Sequence, residues 1–258
     1  MSQLKDKVAL VLGASTKGGF GEAIAKRYAS EGAKVVVAAR SLDALKEIAA
    51  EVGGTAIPCD ITDEKQIEQM VAKTIETYGR LDIAVCVTGG HVSSPIAELT
   101  PERILPVVAL NIVGPTMFLK HCGARISDRG SMIMISSLAA EDNRPGTSIY
   151  GGTKAALEKI VRIAGVEYGA RGIRVNSVAP GVVLTPMASA WDTPAILAVL
   201  EGATPLGKLA TAESVAEASL YLASDHCATT GDMLRVSGGM HLTRMPYPEE
   251  IAAAAAKG

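Results

Sequence analysis

Tyr150-Gly-Gly-Thr-Lys154, with Ser137 thirteen residues upstream, are the residues whose types and spacing carry chemistry. At the start of a helix, the i and i+4 spacing puts the phenol and the amine on one face, one turn apart. A free tyrosine titrates near pH 10, so a phenolate at neutrality needs roughly three pH units of stabilisation, or about 4 kcal/mol. One ammonium about 4 Å away at an effective dielectric near 20 is worth roughly that much. Lys154 therefore suffices, in principle, to make the Tyr150 proton labile.

A phosphate-binding signal stands in the same chain. Gly13-Ala-Ser-Thr-Lys-Gly-Gly-Phe-Gly21 follows an apolar strand and opens directly into a helix. Glycines at such a turn let the backbone approach a pyrophosphate, and the helix N-terminus offers free N–H groups and a positive dipole end. The end of the second strand decides the nucleotide. NAD sites carry Asp or Glu there for the ribose hydroxyls, whereas this strand ends Ala38-Ala39-Arg40-Ser41. A carboxylate would repel a 2′-phosphate, and a guanidinium binds one through paired charge-assisted hydrogen bonds. Lys17 adds a second cation on that side. The expected cofactor is NADP(H); the alternative is an Arg40 that merely solvates the strand end.

Placing these groups requires alternating strands and helices. Strands are expected at Val8–Leu12, Lys34–Ala39, Thr55–Cys59, Leu81–Val87, Ser131–Ile135, Arg174–Val178 and Asp232–Val236. Between them lie helical patterns: Gly21–Gly32, a helix capped by Ser41, one after Thr62 with Ile67, Met70, Val71 and Ile75 in register, and one from Thr100-Pro101 that holds Asn111. With no linker and no repeat, this order predicts the α/β class: one doubly wound parallel sheet of about seven strands with helices on both faces, a single nucleotide-binding domain over 1–258. The last stretch, 240–258, runs through Met245-Pro-Tyr-Pro to Ala252–Ala256. It is expected either as a frayed tail or as a segment packed on a neighbouring subunit or over the substrate cleft.

Composition narrows the class. The chain has 258 residues, 48% hydrophobic and only 3% aromatic, with a formal net charge of −2. That excludes a disordered chain, a collagen-like repeat and a polybasic nucleic-acid binder. Cys59, Cys86, Cys122 and Cys227 are far apart, so neither a disulfide scaffold nor a zinc site is expected, and no other grouping has metal-ligand spacing. No apolar run approaches the roughly 18 residues of a membrane span. A soluble, cytoplasmic protein is expected. Lys5, Lys7 and Val8–Leu12 could also pass for a signal-peptide start, whose removal would take the first strand and the glycine loop with it.

Ser137, Tyr150 and Lys154, together with Asn111, the glycine loop and Pro180-Gly181, resemble the short-chain dehydrogenase/reductase family, in its 3-oxoacyl-[acyl-carrier-protein] reductase-like form. The resemblance runs from about Lys7 to Gly239. It implies a Rossmann fold, with Tyr150 as general acid/base, Lys154 on the nicotinamide ribose, Ser137 on the substrate oxygen and Asn111 completing a water relay. It also implies a cofactor site built from Gly13, Ser15, Lys17, Gly19, Phe20 and Gly21 of the loop, then Arg40 and Ser41. Asp60 and Ile61 would flank adenine, Thr88 and Gly89 follow the fourth strand, and Pro180, Gly181, Val183 and Thr185 lie near the carboxamide. Homodimers or homotetramers packed through the helices holding Asn111 and Tyr150 are implied as well, with Ala155-Ala156 and Ile160-Val161 as permissive apolar faces.

This sequence departs from the family pattern in two places. The glycine loop is two residues longer than T-G-x-x-x-G-x-G, with Leu12 in place of Thr and Gly18 as part of the insertion. The usual N-N-A-G reads Cys86-Val-Thr-Gly89, which removes a hydrogen-bonded brace that Thr88 could partly replace. Pro115, four residues after Asn111, has no N–H for the Asn111 carbonyl. Either it fixes a kink that turns that carbonyl toward the site, or Gly114-Pro115 only relieves crowding between helices.

The expected substrate is a hydrophobic ketone or secondary alcohol. Leu138, Arg144, Met187 and Trp191 are its candidate contacts, from the 138–149 loop and an apolar 182–200 segment that reads as a lid or as core. Glu141, Asp142 and Arg144 line the cleft mouth or are simply solvated, and His91 either reaches the substrate oxygen or faces solvent. The competing functions are a non-redox epimerase, dehydratase or lyase on the same scaffold, and a nucleotide-sensing binding protein without turnover. Enoyl reduction is disfavoured, since that branch spaces its Tyr and Lys more widely.

Overall fold

The structure, a computed structural model, describes residues 2–256. Seven strands form one parallel sheet in the order β3-β2-β1-β4-β5-β6-β7: β1 Val8–Leu12, β2 Lys34–Ala39, β3 Thr55–Pro58, β4 Ile83–Cys86, β5 Ser131–Ile135, β6 Arg174–Pro180 and β7 Met233–Val236. Side chains alternate across it. Ala9, Val11, Val35, Val37, Ile83 and Val85 pack against α1 (Phe20–Ser30), α2 (Leu42–Glu51) and α8 (Ala212–Ala223). Leu10, Leu12, Val36, Ala38, Ala84 and Cys86 pack against α3 (Glu64–Tyr78), α5 (Gly114–Arg125) and α6 (Ser148–Gly169). Burial of both faces is why these strands read as unbroken apolar runs.

Element ends shift where local chemistry intervenes. β4 starts at Ile83 rather than Leu81 because Asp82 turns its carboxylate to the Val8 N–H at 2.9 Å, clamped by Arg80 at 2.8 and 2.6 Å. β6 runs on to Pro180, paired with Val236 at the far edge. Ser41 is the N-cap of α2, yet its side chain makes no capping bond, whereas the Asp63 carboxylate caps α3 by accepting from the Lys65 and Gln66 N–H groups.

The helix that begins at Pro101 corrects one expectation. α4 (Pro101–Val108), a π-helical turn over Ala109–Val113 and α5 follow one another as a continuous helix, Pro101–Arg125. It is 25 residues long and holds an 18-residue window with a mean hydropathy of 1.4, enough by length and composition for a membrane span. In this fold Phe118, Leu119 and Cys122 are buried in the lower core and Lys120 pairs with Glu64 at 2.6 Å. Irregularity at Asn111 takes the form of a wider turn, as the missing Pro115 N–H suggests.

Near the chain end, α7 (Pro194–Gly202) and α9 (Pro248–Ala255) pack together through Ile196, Leu200, Ile251 and Ala254, with Val182 and Met240. Residues 257–258 lie outside the described residues.

Candidate active site

The strand order reverses beside β1, so the carboxyl ends of β1 and β4 flank the crevice where ligands of doubly wound sheets bind. Gly13 leaves β1 with φ 99°, and a Cβ there would lie 3.0 Å from the Thr88 nitrogen. A Cβ on Gly21 would lie 2.5 Å from the Gly13 oxygen and 2.6 Å from the Ala14 Cα, so α1 can meet the strand end only with a bare backbone at 21. Gly19 is the N-cap of α1 and carries no side-chain capping bond, which leaves first-turn N–H groups facing the crevice between half-buried Ser15 and Phe20. This cradle fits a dinucleotide pyrophosphate. Gly18, in the inserted stretch, is left-handed at φ 71° and donates its N–H to Glu22 Oε2 at 2.6 Å.

Along the same edge, Arg40 and Ser41 are exposed after β2. Lys17 departs from expectation: its ammonium pairs with Glu47 of α2 at 2.6 Å, so Arg40 carries the positive charge at this end. After β3 the Asp60 carboxyl accepts from the Thr62 N–H and hydroxyl at 2.9 and 2.8 Å. Those bonds, and to a lesser degree Arg40, hold it below the ordinary carboxylate range. The Ile61 side chain belongs to the lower core, where it fills the space a Cβ on Gly114 would need.

Ser137 follows β5, and its hydroxyl oxygen accepts the Ala139 N–H at 3.1 Å, leaving the proton to donate. Tyr150 lies in the first turn of α6 and lines one cavity together with Ser137. Burial pushes the Tyr150 phenol above its usual value, opposed by the Ser137 hydroxyl beside it. Lys154 is buried at 3% exposure, and burial brings its ammonium down to about 8. Its Nζ donates to the Ile135 carbonyl at 2.9 Å and lies 6.0 Å from the Tyr150 ring centroid. The expected depression of Tyr150 by Lys154 is therefore corrected: desolvation dominates the phenol, and a backbone carbonyl of β5 holds the amine.

Asn111 is fully buried in the π-helical turn. Its side chain accepts the Gly90 N–H at 2.7 Å and donates to the Gly90 carbonyl and Thr153 Oγ1, both at 2.9 Å. It thereby braces the turn after β4 to α6, one position before Lys154. Thr88 does not share that brace, since its hydroxyl pairs with the Cys86 thiol at 3.2 Å. A Cβ on Gly89 would lie 3.4 Å from both Asn111 Oδ1 and Lys154 Nζ.

The cavity beyond Tyr150 measures about 670 Å³, within the range of small-molecule sites. Pro180, Gly181, Val183, Thr185 and Trp191 line it from β6 and the segment after it, and Leu138 and Arg144 line it from the loop after β5. The side chain of Met187, also expected there, lies outside the described residues. Two segments for which the sequence left alternatives open also line the cavity. The His91 ring stands edge-on to the Tyr150 ring at 4.8 Å between centroids, and Met240, Arg244, Met245 and Tyr247 wall the cavity from the C-terminal segment. The break at Met245-Pro-Tyr-Pro248 before an apolar helix was the only signal for the latter. Among the described residues no group of three or more His, Cys, Asp or Glu could hold a metal ion.

The chain is similar to known proteins over most of its length. The family model described as enoyl-(acyl carrier protein) reductase matches residues 13–241. A mitochondrial borneol dehydrogenase of Lavandula x intermedia is 36% identical over 248 residues, 94% of this chain and 93% of that protein. A glucose 1-dehydrogenase of Gluconobacter oxydans is 34% identical over 247 residues, 92% of each. A solved structure from Mycobacterium ulcerans superposes with a TM-score of 0.89 at 31% identity, covering 94% of this chain and 92% of that one.

Proposed function

The chain belongs to the short-chain dehydrogenase/reductase family, and from that premise we propose that it is an NADP(H)-dependent oxidoreductase interconverting a ketone and a secondary alcohol on a hydrophobic small molecule. One observation carries this reading: the Tyr150 and Ser137 hydroxyls share the wall of one cavity that opens beside the glycine-lined crevice. Many relatives carry dehydrogenase names, borneol and glucose dehydrogenases among them. A bound nicotinamide nucleotide supplies the hydride.

The chain's own residues supply the proton and the positioning. Ser137 donates its free O–H to the substrate oxygen, since its own oxygen is occupied by the Ala139 N–H. Tyr150 protonates that oxygen during reduction; a phenol raised by burial is fully protonated at neutrality and poised as the acid. Lys154 holds the nucleotide ribose in this reading, supported by its ammonium lying between the Ile135 carbonyl and Gly89. Asn111 is a positioning residue that fixes the Gly90 turn and, through Thr153, the Tyr-Lys helix. The glycine cradle, Arg40 and Ser41 bind the pyrophosphate and the 2′-phosphate, with Arg40 as the selecting cation. The chain acts as a soluble, cytoplasmic homotetramer or homodimer.

The test follows the nicotinamide absorbance with NADPH or NADH against fatty, cyclic and steroidal ketones. NADPH-coupled turnover that Arg40→Asp shifts toward NADH by about 10- to 100-fold, the worth of one charge-assisted contact, supports the proposal. Isomerisation or dehydration without net nicotinamide change would instead select the non-redox reading. Nucleotide binding without any turnover would select the sensing one.

A further inference from the structure

Among the described residues, only two buried side-chain polar atoms lack a hydrogen-bond partner, Ser136 Oγ and Arg144 Nε, and both residues line the substrate cavity. Orphaned buried donors are rare in folded proteins, and a cation is costlier to leave unpaired than a neutral group. The setting of Arg144 makes the cost specific. Its guanidinium donates from Nη1 to the Met245 thioether at 3.1 Å, a weak acceptor, and lies 5.6 Å from the Trp191 ring centroid. Among the described residues no carboxylate stands within ion-pair distance of it.

Two other charged groups of the cavity wall are already paired. Glu141 is held by Arg235 at 2.8 and 2.5 Å, and Arg244 by Glu250 at 2.6 and 3.0 Å. Asp142, the carboxylate whose field reaches Arg144, forms no bond with it. His91, beside Tyr150, is held below its usual range by partial burial and by Arg144. Of the two guanidiniums that line the chamber, Arg244 has a carboxylate partner and Arg144 has none among the described residues, with the Asp142 carboxylate on the same wall.

We propose that Arg144 recognises a carboxylate on the substrate, so that this cavity takes a keto or hydroxy acid, with an apolar body between the Arg144 end and the carbon that reacts at Tyr150. The inference rests on the ketone–alcohol reading above and deepens it. A carboxylate fits better than a phosphate: a single cation balances a single charge, and the guanidinium fork matches two carboxylate oxygens. Displacing the Met245 sulfur costs little, because a thioether is a poor acceptor.

The test compares matched pairs. With NADPH, kcat/KM is measured for a series of oxo-alkanoic acids against their methyl esters, in the wild type and in Arg144→Met and Arg144→Lys. Separately, the emission of Trp191, the only tryptophan, is titrated with octanoate and with octanol. The expected result is an acid-over-ester preference of about 10- to 100-fold, the worth of one charge-assisted hydrogen bond to a half-buried cation. Arg144→Met should collapse that ratio, and Arg144→Lys should restore part of it. Octanoate should move the Trp191 emission at lower concentration than octanol, with the advantage gone in Arg144→Met.

A wild type that handles acid and ester alike overturns the proposal. So does a preference that survives in Arg144→Met, which would make Arg144 a mere brace between Trp191 and Met245. Should Arg144→Met fail to fold, the wild-type ratio and Arg144→Lys decide. Should no ketone turn over, the ketone–alcohol reading falls, while the octanoate titration still decides carboxylate recognition.

Discussion

Tyr150 and Lys154 sit one turn apart on α6, as their spacing requires, yet neither is tuned in the way that spacing suggests. Pattern gives direction along one helix. It gives no account of the Ile135 carbonyl, which arrives from β5 across the sheet and takes the ammonium at 2.9 Å. Nor does it show how deeply the phenol lies, and depth sets the sign: burial raises Tyr150. The proton is therefore firmly held at neutral pH. Reduction, which spends that proton, should fall as pH rises through the phenol's raised value, and alcohol oxidation should grow over the same interval. Initial rates in both directions across pH would check this, with Tyr150→Phe lowering both by at least about 100-fold. Lys154 adds a stability signature. An ammonium brought down to about 8 costs the folded state most below pH 8, and the cost fades as pH climbs toward the ordinary lysine value. Denaturant midpoints at pH 7.5 and 9.5 should show Lys154→Met stabilised relative to wild type at the lower pH and much less so at the higher.

Strands and helices were the most legible part of the chain, because a sheet buried on both faces leaves continuous Val, Ile and Leu runs such as Lys34–Ala39. Ends were less legible, since they answer to long-range partners. Asp82 leaves the strand run because Val8, seventy-four residues away, offers its N–H. Burial alone would raise the Asp82 carboxyl, but Arg80 and that N–H hold it below its ordinary value. Its contribution is thus present above the unfolded carboxylate value, near about 4, and is lost as pH falls through the lower folded one. Asp82→Ala should cost about 1–3 kcal/mol at neutral pH by orphaning the Val8 N–H, a deficit that urea melts should find shrinking below about pH 4. The glycine loop offers a sharper case. In Gly21→Ala the new methyl would meet the Gly13 and Ala14 backbone at 2.5 and 2.6 Å. The strand–helix joint must then open, at about 1–3 kcal/mol, with loss of nucleotide affinity. Thermal melts with and without NADPH would read both effects.

At the scale of the whole molecule, helical period alone failed to tell inward from outward apolar residues on α6. Val161, read as a permissive surface, is buried in the chain's own core, whereas Ile163 and Val166 are 47% and 81% exposed. Leu105 and Val113 on the Pro101–Arg125 helix are likewise bare, at 64% and 50%. A single chain with these faces open should self-associate through them. Light scattering should return a dimer or tetramer, and Val166→Glu with Val113→Glu should lower the mass at unchanged helicity.

The cavity's remaining wall comes from α9 and the stretch before it, with Met245 and Tyr247 facing the chamber and Ile251 and Ala254 anchored on α7. β7 ends at Val236, before Met240 and the rest of this wall, so the sheet and the glycine cradle are complete without it. The reaction chamber is therefore enclosed only once Met240 to Ala254 have packed, and a chain cut after β7 would keep the cradle while lacking an enclosed place for its substrate.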